Sequence, residues 1–248
     1  MIRAVISGCC GKMGRVVADV IDAREDINVI AGIDVAVKEC GFTVYKKPME
    51  LPEVPDVIID FSHPSALGDL LEYALTNGTA LVLASTGYDK EQIAKIESAS
   101  HSVPIFFTAN MSLGINLLSE LAKKAAAVLG GQFDIEIVEK HHNQKIDAPS
   151  GTALMLANAI NDVSDDKYNY VYDRHSVRKK RDGNEIGIHA VRGGTIVGEH
   201  EIIFAGRDEV ITLSHSAYSK EVFAVGAVNA AAFMVGKVAG LYSMADLI

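Results

Sequence analysis

Residues 2–15 read Ile-Arg-Ala-Val-Ile-Ser-Gly-Cys-Cys-Gly-Lys-Met-Gly-Arg. A short apolar run, Ile2 to Ser7, enters a turn with glycines at 8, 11 and 14, and Val16 to Ile21 continues as an amphipathic helix. The spacing is G-x-x-G-x-x-G and departs from the commoner G-x-G-x-x-G. Its physical consequence is the same: a tight turn brings backbone N–H groups and a helix N-terminus close to a pyrophosphate. A glycine triplet alone describes a simple tight turn equally well, so the next strand decides. That strand, Ile27 to Ile33, ends at Asp34, twenty residues beyond Gly14, where a ribose-binding carboxylate belongs. Val35 stands in place of an arginine that could hold a 2′-phosphate, which favours NADH; Lys38 weakens that inference, and Lys12 adds positive charge by the pyrophosphate.

The pattern repeats outward. Strand-like runs at Asp56–Phe61, Ala80–Ala84 and Pro104–Thr108 alternate with helices at Ser65–Thr76, Asp89–Ala99 and a long one ending at Leu129. That alternation predicts a Rossmann-type, doubly wound parallel sheet. Ligands of such sheets sit over the carboxyl ends of the strands. Gly8, Cys9, Cys10, Gly11, Lys12 and Met13, then Asp34, then Ala84, Ser85 and Thr86, then Thr108, Ala109, Asn110 and Met111, are therefore expected to line one dinucleotide crevice. His63, ahead of Pro64, reads as a turn residue rather than a catalytic one.

Gly130-Gly131 breaks the chain, and Phe133–Val138 opens a second α+β domain with an open mixed or antiparallel sheet. Its later strands are Ile186–Val191, Thr195–Phe204 and Glu209–His215; the short links at Gly193-Gly194 and at 206–208 imply antiparallel neighbours. Residues 162–184 lack hydrophobic periodicity and read as a surface excursion. Glu221–Val238 is a helix suited to covering the first sheet, so the domains divide as 1–111 with 217–248, and 112–216. An antiparallel sheet covered on one face leaves the other for oligomerisation.

Protonatable groups are densest between Glu139 and Thr152: Glu-Lys-His-His-Asn-Gln-Lys-Ile-Asp-Ala-Pro-Ser-Gly-Thr. His141, His142 and Lys145 put two imidazoles and an ammonium into one loop, with Asp147 close behind. The spacing is not that of a helical zinc pair, and no metal is expected there. Such a cluster attracts an anion and donates a proton as negative charge develops. Ser150, Gly151 and Thr152 open a helix whose first-turn N–H groups suit a carboxylate, while Ser150 and Thr152 also serve as caps; both roles can hold together.

Composition narrows the classes. A formal net charge of −9 argues against a general nucleic-acid binder. No apolar run is long enough to span a bilayer and no signal pattern opens the chain, so a cytoplasmic protein is expected. Cys9, Cys10 and Cys40 show no metal-ligand spacing and read as reduced thiols.

The run from Glu139 to Ala153 resembles the E-x-H-H-x-x-K-x-D-A-P-S-G-T-A signature of the dihydrodipicolinate (4-hydroxy-tetrahydrodipicolinate) reductase family. Supporting matches are Gly8-Cys-Cys-Gly-Lys-Met-Gly, Asp60-Phe-Ser, Ser85-Thr-Gly, Asn110-Met-Ser-Leu-Gly-Ile-Asn, Val191-Arg-Gly, Gly198-Glu-His and Gly240-Leu-Tyr, which span nearly the whole chain. The resemblance implies hydride transfer from NADH or NADPH to a small dicarboxylate in lysine and diaminopimelate biosynthesis. It also implies a homotetramer built through the C-terminal sheet. By motif, His141 is implied as proton donor and acceptor, Lys145 as proton donor, His142 as a substrate contact, and Gly151 with Thr152 as the carboxylate cradle. Lys220 falls near the family's interdomain hinge, and closure on binding is expected. Cys10 stands where the family often has glycine, Ala84-Ser85 replaces a common Gly-Thr pair, Met111 a common phenylalanine, and Val35 an arginine that favours NADPH. These departures bear on cofactor preference, not on the fold. Two rivals are another Rossmann-type reductase, which has no reason for the complete loop, and a non-catalytic NADH-sensing regulator, which needs a DNA-binding element that the sequence does not offer.

Overall fold

The apolar runs of the first half become parallel strands. The computed structural model describes residues 1–165 and 167–247 and divides into two compact units, Met1–Leu113 with the chain from Lys220 onward, and Gly114–Ser219. In chain order the first unit contains β1 (Ile2–Ser7), α1 (Lys12–Asp22), β2 (Ile27–Ile33), β3 (Val44–Tyr45), β4 (Val57–Asp60), α2 (Leu67–Asn77), β5 (Ala80–Leu83), α3 (Lys90–Ser100) and β6 (Pro104–Phe107). The second begins along α4 (Leu113–Leu129) and continues with β7 (Asp134–His141), α5 (Gly151–Asp162), β8 (Asn169–Val171), β9 (Glu185–Arg192), β10 (Gly198–Ala205) and β11 (Val210–Ala217). The chain then returns to the first unit with α6 (Glu221–Met234) and β12 (Gly240–Tyr242).

The first sheet runs β3-β2-β1-β4-β5-β6-β12 with every pair parallel. Strand order therefore reverses between β1 and β4, the position at which open α/β sheets hold ligands. The central strands β1, β4 and β5 have two buried faces, which explains their nearly continuous apolar reading. Ala4, Ile6, Val57, Ile59 and Phe106 pack in one core with Val17 and Ile21 of α1 and with α6. Val5, Ile58, Leu81, Leu83 and Ile105 pack in the other with residues of α2 and α3. Helix α6 covers the sheet through Ala224, Ala227, Val228, Ala230 and Ala231, small side chains that let it lie close. It stops at Met234, short of Val238, and β3 and β12 are too brief for a period-two signal.

The second sheet is mixed, in the order β11-β10-β7-β9-β8. The short link at 206–208 does join antiparallel neighbours, β10 and β11. The link at Gly193-Gly194 does not: β7 lies between β9 and β10, parallel to the first and antiparallel to the second. The physical reason is local. Gly193 N–H donates to His141 O (2.9 Å) and Gly194 O accepts from Asn143 N–H (3.2 Å), so the glycines carry the chain across the end of β7 instead of reversing it. Residues 162–184 are likewise more than an excursion. They supply β8, parallel to β9, and Tyr168, buried against the core. Arg174, Lys179 and Arg181 tie the rest down through Glu136, Glu185 and Asp134. Charge pairs rather than apolar periodicity order this segment; residue 166 lies outside the described residues.

Candidate active site

In the first unit the turn after β1 is shaped by close approach. Gly8 has φ +78°, and a Cβ there would meet Phe61 O at 2.7 Å; one on Gly14 would fall on the Gly8 carbonyl. Gly11 precedes α1 and no side chain caps the helix. Its first-turn N–H groups and positive dipole end thus suit an anion. Asp34, just past β2, accepts from Cys10 N–H (3.0 Å) through one carboxylate oxygen and from Ala36 N–H (2.9 Å) through the other. A cavity of about 400 Å³ is walled by Gly8, Gly11, Asp34, Lys46, Phe61 and His63, among others. Lys46 and Phe61 carry no sequence signal for this role. His63 is a turn residue: its Nδ1 accepts from Ser65 N–H at 3.2 Å.

Asp60, fully buried at the end of β4, organises the neighbouring strand ends. Its carboxylate accepts from Ser62 N–H (3.1 Å), Ser62 Oγ (2.5 Å), Ser85 Oγ (2.7 Å) and Tyr88 Oη (3.3 Å). Ser85 is consequently buried with its hydroxyl turned inward, whereas Thr86 is exposed and Ala84 half-buried. Thr108 and Asn110 are half-buried, Ala109 exposed and Met111 buried; Ser112 N–H donates to Asn110 Oδ1 at 2.8 Å. Cys9 is buried, Met13 half-buried and Lys12 exposed.

In the second unit β7 alternates buried and partly exposed residues along its whole length, and the buried series runs Ile135, Ile137, Glu139, His141. An apolar stripe has thus been replaced by a carboxylate and an imidazole at its carboxyl end. A buried carboxylate must be paired. Arg192, opposite His141 across β7 and β9, supplies Nη1 and Nη2 to the two oxygens of Glu139, each at 2.7 Å. Ser150 N–H adds 3.0 Å and His141 Nδ1 adds 2.6 Å. Burial pushes the Glu139 carboxyl up, but Arg192, His141 and the Ser150 amide together hold it below the ordinary range.

Because Glu139 can only accept, His141 Nδ1 carries a proton, and Nε2 is the exchangeable position. Nε2 faces Gly198 of β10, where a Cβ would stand 3.2 Å away. His200, buried on β10 opposite Glu139, meets the His141 ring edge to face at 5.2 Å. Ser150 Oγ accepts from Ala153 N–H (3.2 Å), capping α5, and lies 3.1 Å from His200 Nε2. Burial first and the charge of His141 second push His200 down to about 4, so it is neutral, and its Nε2 shares a hydrogen bond with the Ser150 hydroxyl.

The loop places the expected residues unequally. Ser150 is buried with its amide and hydroxyl both engaged inward, while Gly151 is exposed and Thr152 half-buried at the start of α5. His142 is half-buried, and Lys145 N–H donates to its carbonyl at 3.2 Å. Lys145 Nζ pairs with Asp147 Oδ1 at 2.9 Å. Arg192 Nη2 also donates to Asp147 O (2.6 Å), anchoring the loop to β9. Sequence reasoning alone assigns no role to Glu139, Arg192 or His200. The polar pair continuing the period-two stripe of β7 is the signal for Glu139, and the Val191-Arg-Gly and Gly198-Glu-His matches are the signals for Arg192 and His200.

The family model described as dihydrodipicolinate reductase, N-terminus, matches residues 2–111, and that described as dihydrodipicolinate reductase, C-terminus, matches 114–248. The chain is 54% identical to the 4-hydroxy-tetrahydrodipicolinate reductase of Caldanaerobacter subterraneus subsp. tengcongensis and 49% identical to that of Clostridium novyi, covering 100% of this chain and 98% of each relative. Among solved structures, the dipicolinate-bound dihydrodipicolinate reductase of Paenisporosarcina sp. TG-14 superposes with a TM-score of 0.83 at 26% identity over 100% of both chains.

Proposed function

The chain belongs to the dihydrodipicolinate reductase family, and from that premise we propose how its residues divide one reaction: the first unit holds a nicotinamide dinucleotide, the second a small cyclic dicarboxylate and the acid that protonates it. The activity is that of a 4-hydroxy-tetrahydrodipicolinate reductase, an NAD(P)H-dependent oxidoreductase of lysine and diaminopimelate biosynthesis. The residues of the first unit fit the cofactor, since Gly8 and Gly14 let the turn close against Phe61 and on itself where any Cβ would clash, and the N-terminus of α1 behind it carries no side-chain cap. Gly8 to Met13 hold the pyrophosphate, Asp34 the ribose, and the 84–86 and 108–111 segments the remainder. The bound cofactor supplies a hydride to C4 of the substrate ring.

The protein's own residues do the rest. The ring loses its hydroxyl and a neighbouring ring proton as water; a hydride and a proton then add across the conjugated system. The backbone at Gly151 and Thr152, with His142, holds a substrate carboxylate. Lys145 donates the proton, and its pairing with Asp147 keeps the ammonium in the loop. His141 exchanges a proton at Nε2 because Glu139 fixes the other nitrogen as a donor. This Glu139–His141 pair is the observation that carries the reading: a carboxylate wholly withdrawn from water is spent on orienting one imidazole beside the loop.

NADH is the favoured form, because the Asp34 carboxylate repels a 2′-phosphate; Lys46, in the wall of the same cavity, offsets part of that repulsion. A homotetramer through the second sheet is supported by β11, an edge strand carrying exposed Val210 and Ile211. A cytoplasmic setting is supported by three free cysteines, and among the described residues no helix is long and apolar enough to cross a membrane. Purified protein given NADH and the condensation product of pyruvate and aspartate semialdehyde should oxidise the cofactor. No oxidation would overturn the reading.

A further inference from the structure

Cys9 and Cys10 lie in the glycine turn after β1, and Cys40 lies in the link between β2 and β3, thirty residues on, so nothing in the linear spacing joins them. The fold does. Cys9 Sγ stands 3.9 Å from Cys10 Sγ, which stands 3.5 Å from Cys40 Sγ, and all three sulfurs fall within 4.8 Å of one another. Sulfurs bound at about 2.3 Å to one tetrahedral ion are separated by roughly 3.8 Å, so the trio needs little movement to share a centre. A disulfide would use only two of the three and requires about 2.0 Å between them. Cys9 is held in place against β2, where a Cβ on Gly32 would overlap its sulfur, while Cys10 and Cys40 are only half-buried and open the cluster to solvent.

We propose that Cys9, Cys10 and Cys40 form a binding site for a soft closed-shell metal ion of the zinc and cadmium class, and that the ion antagonises the dinucleotide. Binding a divalent ion releases one proton from each of the three thiols and leaves a tris-thiolate centre of net charge −1, with the fourth position to water. Thiolate ligands select such ions over magnesium or calcium. The antagonism rests on the proposed cofactor site. Cys10 N–H is the donor to Asp34 Oδ2, so the turn proposed to hold the pyrophosphate and the acid proposed to hold the ribose are both joined to the cluster. An ion there ties the turn to Cys40 and adds negative charge beside Asp34, and cofactor and metal must weaken each other reciprocally.

The test uses the full chain, stripped with a chelator, kept reduced with a phosphine and titrated with Cd²⁺ alone. The chain has three cysteines in all, so an ultraviolet cadmium–thiolate charge-transfer band can come only from this cluster. The band is expected to saturate at one ion per chain and to collapse in Cys40→Ser, a variant that should bind NADH as the parent does when metal-free. No band, or an unchanged band in Cys40→Ser, overturns the site. NADH titrations with and without Cd²⁺ test the antagonism: affinity should fall about fivefold or more in the parent, recover with chelator, and stay constant in Cys40→Ser. Equal NADH affinity in the loaded and metal-free parent overturns the antagonism. Failure of the metal-free parent to bind NADH overturns the cofactor reading and the antagonism with it, while the band still decides the site.

Discussion

Arg192 grips Glu139 with both terminal nitrogens, each 2.7 Å from its own carboxylate oxygen, at a carboxylate that no water reaches. Removing the guanidinium leaves that charge buried with only the Ser150 amide and His141. Arg192→Ala is therefore expected to lower unfolding free energy by about 3 kcal/mol, the lower part of the range for breaking a buried pair, because Arg192 itself reaches solvent. Arg192→Lys keeps the charge, loses the fork and should fall between the two. Denaturant titration reads both; an Arg192→Ala protein as stable as the parent would show that the clamp contributes nothing.

His141 and Lys145 are proposed to serve the chemistry and not the cofactor. His141→Ala and Lys145→Ala should each lower kcat by about a hundredfold or more while NADH affinity stays within twofold. Glu139→Gln acts at one remove: it keeps the shape, removes the fixed acceptor for His141 Nδ1, and should shift the pH profile of kcat as well as its height. Loss of NADH binding in step with kcat would show that the two units have been given the wrong roles.

His200 makes stability depend on pH in a defined window. Its folded pKa is pushed down to about 4 by burial and by His141, against 6.5 for an ordinary histidine, with Glu139 opposing and His215 and Lys145 adding to the shift. Below 6.5 the unfolded chain takes up this proton more readily than the native one. The stabilisation is thus complete above 6.5, declines as pH falls, and is fully lost below about 4, a total of roughly 3 kcal/mol. Glu139, whose pKa is lowered, loses its own contribution only at more acid pH. His200→Gln keeps a partner for Ser150 and should flatten the slope between pH 6.5 and 4. Parallel slopes in parent and variant would rule His200 out as the source.

The parallel sheet is readable because each of its main strands is buried on both faces and leads into a helix, which leaves continuous apolar runs between glycine and hydroxyl signals. The loop from His141 to Thr152 is readable because charge is concentrated there. What escapes depends on contacts far apart in sequence. Arg192 stands 53 residues from Glu139, and His200 50 residues from Ser150. The hairpin expected at Gly193-Gly194 fails for the same reason: a short link between strands implies adjacency only if no third strand takes the place, and β7 does. Spacing along the chain likewise has no term for the return of Cys40 to Cys9 and Cys10.

Asp34 offers a test of cofactor choice. Its two oxygens already hold Cys10 N–H and Ala36 N–H, so Asp34→Ala removes a support of the turn as well as the proposed ribose acceptor. NADH should bind about tenfold more weakly, the loss expected of one charged hydrogen bond. NADPH should lose less, since the repulsion of its 2′-phosphate goes too. Paired titrations with the two cofactors measure the ratio, and a ratio unmoved by the substitution would count against Asp34 at the ribose.

Two glycines in helices separate close approach from mere propensity. Gly226 of α6 lies so near Met111 that a Cβ would overlap the Met111 carbonyl oxygen, in the segment assigned to the cofactor. Gly226→Ala must push the helix or that segment aside, at about 1–3 kcal/mol for overpacking, and NADH affinity should fall with it. Gly68 of α2 has nothing within 4 Å of its Cβ position. Gly68→Ala gains helix propensity without a clash and should raise stability by roughly 0.5–1 kcal/mol. Thermal unfolding of the two variants should therefore move in opposite directions; a shift of the same sign would mean that the contact between α6 and the 108–111 segment is looser than the backbone geometry requires.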